Sequence, residues 1–271
     1  MLKTLRIVCA VALFTAFNLF FLGFADFPGA LARVQLVPAL IALNVGALVL
    51  WGVVTAIFGR LYCACVCPLG VLQDAALWVR RRFAKASFSA RPARWCLRGA
   101  FLAAGAVLFL IGGASLVGFL DPYATYGRFA ASVLEPAATW LANMAGDAMA
   151  AQGNDCMLRQ EMALRGACAL AFSIAAGLAV IVCAMWKGRL VCNTVCPVGA
   201  VLGACAMRPV VQVRIDADSC VKCGMCERAC RAGCVDAKEG KVDQSRCVRC
   251  FDCISACRKG AIRWTARRAA K

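Results

Sequence analysis

Four stretches of this chain are apolar over about the twenty residues that a helix needs to cross a hydrocarbon core of roughly 30 Å. They are Ile7–Ala25, Val34–Phe58, Gly99–Leu120 and Gly166–Trp186. With 62% hydrophobic and only 17% charged residues, the chain carries more apolar surface than a soluble domain can bury, which predicts an α-helical integral membrane protein of about four spans. Pro38 and Asn44 in the second stretch, and Gly112, Gly113 and Gly118 in the third, are compatible with spans, because neighbouring helices can satisfy or pack against irregular backbone. The small residues of the third predict helix contacts. A fifth stretch, Phe129–Ala151, contains Glu135, Pro136, Asn143 and Asp147 and reads as an amphipathic or surface helix.

Orientation follows from Lys and Arg, which are enriched on cytoplasmic flanks. Of the 31, two precede the first span, eight lie in Gly59–Arg98 and 17 follow from Lys187, whereas the two opposite loops together hold four against six acids. Both termini are therefore expected in the cytoplasm, in a bacterial inner membrane. A cleaved signal peptide over Ile7–Ala25 is the rival reading, and it leaves everything after Phe58 on the same side. The 20 Cys agree: 16 fall in segments assigned to the cytoplasm, Cys9, Cys168 and Cys183 in spans, and Cys156 alone outside. That is the reverse of a disulfide scaffold and fits metal binding in a reducing compartment. The chain has no His, which excludes His-ligated haem, His zinc sites and Ser-His or Cys-His nucleophiles. No dinucleotide or phosphate-loop motif occurs, and topology with clusters accounts for the +17 charge, so nucleic acid is not an expected partner.

The tail reads Cys220-x2-Cys223-x2-Cys226-x3-Cys230 and then Cys247-x2-Cys250-x2-Cys253-x3-Cys257, the spacing of bacterial two-cluster ferredoxins, in which the fourth Cys of each run ligates the other cluster. It predicts Cys220, Cys223, Cys226 and Cys257 on one [4Fe-4S] cluster and Cys230, Cys247, Cys250 and Cys253 on the second. Zinc also uses Cys-x2-Cys pairs, though rarely in a repeated three-plus-one pattern. The Pro expected after each fourth Cys is replaced by Arg231 and Arg258. With Lys222, Arg228, Arg246 and Arg249 these cations could offset cluster charge and raise its potential, or they could be ordinary cytoplasmic-side residues. Val211–Ile215 and the segment around Ile262 and Trp264 alternate as short strands. Cys234 reads as a small packing residue, since eight ligand places are already filled.

Two further segments repeat: Gly59-Arg60-Leu61-Tyr62-Cys63-Ala64-Cys65-Val66-Cys67-Pro68-Leu69-Gly70 and Gly188-Arg189-Leu190-Val191-Cys192-Asn193-Thr194-Val195-Cys196-Pro197-Val198-Gly199. Each follows the second helix of a two-span pair, so residues 1–205 read as an internal duplication with both motifs on one face. Cys63, Cys67, Cys192 and Cys196 can jointly hold a further cluster, act as redox thiols, or cap helix ends. Cys65, matched by Thr194, is accessory.

These motifs, with Gln73-Asp74, Trp78 and Arg80-Arg81-Arg82-Phe83 after the first, and with Leu120-Asp121-Pro122-Tyr123-Ala124-Thr125-Tyr126-Gly127-Arg128-Phe129 after the third span, resemble the membrane polyferredoxin family of NapH and the iron–sulfur half of NosR. The resemblance covers about Arg60 to Trp264. It implies a four-span domain (1–205), a small α+β two-cluster ferredoxin-like domain (206–271), and electron transfer between the quinol pool and partner redox proteins such as ferredoxin-like or cytochrome subunits. Because only Met1–Arg6 precedes the first span, the likeness is to a NapH-type core with separate partners, and the lack of a twin-Arg signal there again predicts a cytoplasmic tail. Quinol oxidation also needs polar groups near a membrane boundary, for which Asp121, Tyr123, Tyr126 and Arg128 are the candidates. Interfacial anchoring is their alternative role, and the topology puts them on the side opposite the clusters. Two rival functions remain. One is an assembly or maturation factor working through the Cys-x3-Cys-Pro thiols, and the other is a membrane anchor whose basic tail docks an acidic redox partner.

Overall fold

A computed structural model describes residues 1–23, 33–84, 88–90, 92, 94–152, 159–161 and 166–267. The chain is mostly helical with two small antiparallel strand pairs. Among the described residues, two helices are long and apolar enough to cross a membrane, α1 (Leu2–Phe21) and the later Ala167–Lys187. Cys156, Ala25 and the side chains of Gly112 and Gly113, where helix contacts are expected, lie outside the described residues.

The second apolar stretch, expected as one span over Val34–Phe58, is instead broken. It forms α2 (Leu36–Ile41) and α3 (Val45–Phe58), separated by Leu43 at φ 51° and capped by Asn44, whose side chain accepts from the Ala47 amide at 3.2 Å. The Trp51 indole donates to the Val34 carbonyl at 2.8 Å, so α2 folds back along α3. At 1.5 Å per residue, α3 alone is about 21 Å long, short for a full span. The physical cause is the Asn: its side chain offers the backbone a cap in the middle of an apolar run.

After α3 comes a short turn of helix, α4 (Tyr62–Cys65), and then α5 (Pro68–Phe83). Gly70, Gln73, Asp74 and Leu77 are all buried on α5, a three- and four-residue spacing that defines one inward face. Arg80 to Arg82 occupy its last turn, where cations oppose the helix dipole favourably. The third apolar helix, α6 (Trp95–Val117), leads to α7 (Pro122–Phe129), a π-helical segment (Ala130–Leu134) and α8 (Glu135–Ala150). Pro136 cannot donate to the preceding turn, which accounts for the slipped register just before it. No residue of α8 is buried, but Ala130 and Ser132 of the π-helical segment before it are, so the stretch read as a surface helix over Phe129–Ala151 is packed inward in its first part. α9 (Ala167–Lys187), α10 (Leu190–Thr194) and α11 (Pro197–Cys205) then repeat the α3, α4, α5 order.

The tail forms β1 (Val211–Ile215), α12 (Met225–Ala229), β2 (Val235–Asp236), β3 (Lys241–Val242), α13 (Asp252–Ala256) and β4 (Ile262–Ala266). β1 pairs with β4 antiparallel, Val213 opposite Trp264, and β2 with β3. The tail is fastened to the helices by backbone. The Val210 amide donates to the Ala56 carbonyl at 3.0 Å, and the Arg189 amide to the Arg231 carbonyl at 2.9 Å.

Candidate iron–sulfur centre

Each Cys-Pro pair begins a helix. Cys67 and Cys196 are the N-cap residues of α5 and α11, with Pro at the first helical position, where its missing N–H costs nothing. Three residues on, the Gly70 and Gly199 amides point back at the cap sulfur; Gly199 N lies 3.3 Å from Cys196 Sγ. A helix N-terminus aimed at a sulfur favours its anionic form. Both glycines are required by crowding: a β-carbon on Gly70 would strike the Cys63 carbonyl, and one on Gly199 the Cys192 carbonyl.

The two copies exchange arginines. Arg60 of the first donates to the Cys192 carbonyl at 3.0 Å and lies 3.7 Å from Cys63 Sγ. Arg189 of the second donates to the Cys63 carbonyl at 2.8 Å and lies 3.9 Å from Cys192 Sγ. Both side chains are fully buried. Cys63, Cys67, Cys192 and Cys196 are themselves buried. Three of them share one core with Tyr62, Tyr126, Val248 and Cys250, and Cys192 lies within electrostatic reach of Cys63 and Cys67. Cys65 is only half-buried and stands apart from that core.

Both turns dip alongside the helices before them. The Tyr62 ring packs on Trp51 at 5.0 Å, about 10 Å back along α3 from Phe58, and Pro197 lies beside Gly105, about 15 Å into α6.

Charge here is arranged for an anion. Burial alone would raise the Asp74 carboxyl, but Arg189, then Arg231 and Arg6, hold it well below the usual carboxylate range. Arg6 and Arg231 reach it at 2.6 and 2.9 Å. Arg231 also pairs with Asp252, which is further held by Lys3 at 3.0 Å and Arg81 at 3.2 Å. Arg60 is different: its partners are Asn193 Oδ1 at 2.6 Å, the Ser245 and Cys192 carbonyls and the Cys63 sulfur, and among the described residues no carboxylate forms an ion pair with it. A fully buried guanidinium needs a counter-charge, and the thiols beside it supply one only when they carry an anion. Burial, and then the charge of Cys192 and Cys63, push Cys67 and Cys196 up as free thiols, so a bound cation-rich group is what would hold these two as thiolates.

In the tail, Cys220, Cys223, Cys226 and Cys257 line a single pocket, while Cys230, Cys247, Cys250 and Cys253 are buried in mutual electrostatic reach. The two cysteine runs have the same backbone. Lys222 and Arg249, each before the second Cys, have φ 52° and 56°, and Gly224 and Phe251, each after it, have φ 72° and 60°. A non-glycine in the left-handed region is costly, and Phe251 shows that the turn overrides it. The turn aims the amides of Arg249, Asp252 and Ile254 at Cys247, Cys250 and Cys253, a nest of N–H groups suited to an anionic cluster. Among the described residues no three His, Cys, Asp or Glu side chains crowd closely enough to share one metal ion. The four thiolates of a cubane need not, because each binds a different iron.

Of the proposed polar boundary groups, Asp121 caps α7, accepting from the Tyr123 and Ala124 amides at 3.3 and 2.9 Å. Burial pushes its carboxyl up to about 6. Tyr126 is buried and donates to Asn18 Oδ1 at 2.7 Å. Arg128 bonds the Gly118 carbonyl and lies over the Phe119 ring at 5.0 Å. Asp121, Tyr123 and Arg128 line an otherwise apolar pocket with Phe21, Val37 and Ile41. Tyr126 is in the cysteine core and not in this pocket. Phe21 and Val37 pack on that same core. Reading the sequence assigned no role to Arg60, Arg189, Tyr62 or Asn193; the repeated Gly-Arg-Leu was the available signal for the two arginines.

A family model described as 4Fe-4S binding domain matches residues 40–86 and 169–208, the two segments that hold Cys63, Cys67, Cys192 and Cys196. The chain is accordingly an iron–sulfur protein that binds a [4Fe-4S] cofactor, with a composition and two apolar helices compatible with membrane association. No curated protein and no solved structure matches it.

Proposed function

We propose that the chain is a NapH-like membrane polyferredoxin of the bacterial inner membrane, linking quinol to partner redox proteins. In this reading Cys220, Cys223, Cys226 and Cys257 hold one cluster of a ferredoxin-like domain (206–271), and Cys230, Cys247, Cys250 and Cys253 hold the second. Cys63, Cys67, Cys192 and Cys196 hold a third within the four-span domain (1–205). Bound [4Fe-4S] clusters supply one-electron carriers whose potential follows charge, burial and hydrogen bonding.

One observation carries the proposal: the apolar pocket at Asp121 and Arg128 and the cysteine core are two faces of the same packing, joined through Phe21 and Val37, and that core continues to Cys250 of the tail. Because the Cys-Pro turns dip inward, a quinol held at Asp121 need not be a membrane's width from the nearest thiols. Asp121 accepts a quinol proton, Arg128 orients the headgroup, and the apolar walls exclude water. Exposure grows from the buried Cys250 to Cys223, so the first tail site faces a soluble partner. The burial of Cys63, Cys67, Cys192 and Cys196 argues against a maturation role that needs exposed thiols.

The test is anaerobic. Purified protein in liposomes receives menaquinol or ubiquinol, and cluster reduction is followed by EPR. Reduction by quinol that is lost with a quinone-site inhibitor is expected; reduction by dithionite alone would refute the linkage.

A further inference from the structure

The two halves of the tail can be compared position by position beyond their eight ligands. Cys230-Arg231-Ala232-Gly233-Cys234-Val235 corresponds to Cys257-Arg258-Lys259-Gly260-Ala261-Ile262. The backbone is the same in both: Gly233 and Gly260 have φ 59° and 65°, their amides donate to the Cys230 and Cys257 carbonyls at 3.2 Å each, and Val235 and Ile262 each begin a strand. Cys234 and Ala261 are both buried, at 4% and 2% exposure. The copies therefore differ by one sulfur at an equivalent, enclosed position.

That sulfur does not pack only against carbon. Cys234 Sγ lies 3.5 Å from Cys230 Sγ, its amide donates to Cys230 Sγ at 3.4 Å, and Cys247 lies within its electrostatic reach. A residue present merely to fill space would be served by the methyl group of its counterpart Ala261. On the two-cluster reading above, we propose that Cys234 is a fifth thiol of the second cluster, donating its S–H to the ligand sulfurs and able to take over the iron held by Cys230. The first cluster, facing Ala261, has no such reserve. The exchange balances without redox change. The bond from iron to Cys230 Sγ breaks, the bond to Cys234 Sγ forms, and the Cys234 proton crosses to Cys230. In a chain lacking Cys230, the Cys234 proton is released on cluster insertion, as for any thiol ligand.

The experiment uses the full chain, purified anaerobically, with iron and acid-labile sulfide counted and both tail clusters followed by EPR. Cys230→Ala should keep the iron content of the unaltered chain, whereas Cys257→Ala and the double variant Cys230→Ala/Cys234→Ala should each lose one cluster. Adding Ala261→Cys to Cys257→Ala should restore the loss. Iron loss by Cys230→Ala equal to that of the double variant would overturn the proposal, as would retention in both. A variant that keeps all eight ligands guards against simple misfolding. Cys234→Ala removes an S–H donor from sulfurs that carry more negative charge when reduced, so the second cluster's midpoint should fall while the first stays put. Unchanged midpoints for both would also overturn it. Failure of the unaltered chain to show two tail clusters would instead sink the underlying two-cluster reading, and the proposal with it.

Discussion

At the scale of single residues, the repeated motif is explained almost position by position. Cys is the cap, Pro suits the first helical turn, and Gly admits the opposing copy's arginine and its own copy's first Cys carbonyl. Gly199→Ala should therefore be severe: relief of the clash with the Cys192 carbonyl costs about 1–3 kcal/mol in comparable overpacked sites and moves the ligand loop. Reduced iron content and a lower denaturation temperature in detergent are expected, whereas Gly105→Ala, whose β-carbon meets Pro197 at an ordinary 3.7 Å, should behave like the parent. Asp74 faces three guanidiniums, those of Arg6, Arg189 and Arg231. Asp74→Asn leaves these buried charges without their anion, a loss of about 3–5 kcal/mol when one partner of a buried pair is removed, readable as a fall in thermal midpoint. An unchanged midpoint would show that the network contributes nothing. The cysteines, the prolines and Asp74 were legible as motif residues. The pairing of Arg60 with the second copy and Arg189 with the first was not, since it depends on how separate helices dock.

At the scale of elements, α7 separates structural from chemical roles. Asp121 both caps the helix and lines the apolar pocket. Asn caps as well as Asp does, so Asp121→Asn should leave stability nearly unchanged, while Asp121→Ala should cost about 1 kcal/mol. Quinol oxidation should part the two further. A carboxyl raised to about 6 carries the charge that accepts a proton only above that pH, so the rate should climb with pH through about 6, and this limb should vanish in Asp121→Asn. Persistence of the limb would remove Asp121 from proton transfer. The broken second stretch carries its own lesson about patterning. Hydropathy reads Val34–Phe58 as continuous, because Leu43 and its neighbours are apolar. Asn44 ends that continuity by capping α3, and the Trp51 bond to Val34 holds the fold-back of α2.

At the scale of the whole molecule, the tail and the helices are one electrostatic unit, and Arg231 is the joint. It occupies the place where a ferredoxin turn carries Pro, yet it is buried and ties Asp74 of α5 to Asp252 of α13. Arg258, its counterpart, is exposed. Arg231→Pro should loosen the tail, seen as faster proteolysis between Cys205 and Val211, whereas Arg258→Pro should stay within about 0.5 kcal/mol of the parent, as surface substitutions usually do. Equal behaviour of the two would deny Arg231 its joining role. Linear order alone determined the three-plus-one spacing of the tail cysteines, the duplicated Cys-Pro motif and the apolar segments, because each of these is a property of residues close together in the chain. Only the tertiary structure decided that two pairs of thiols more than a hundred residues apart share a buried site, that the pocket at Asp121 shares Phe21 and Val37 with that site, and that Cys234 lies against the Cys230 sulfur. Those relations arise from helix packing and buried charge pairing, where the partners are chosen by three-dimensional fit and leave no periodic trace in the sequence.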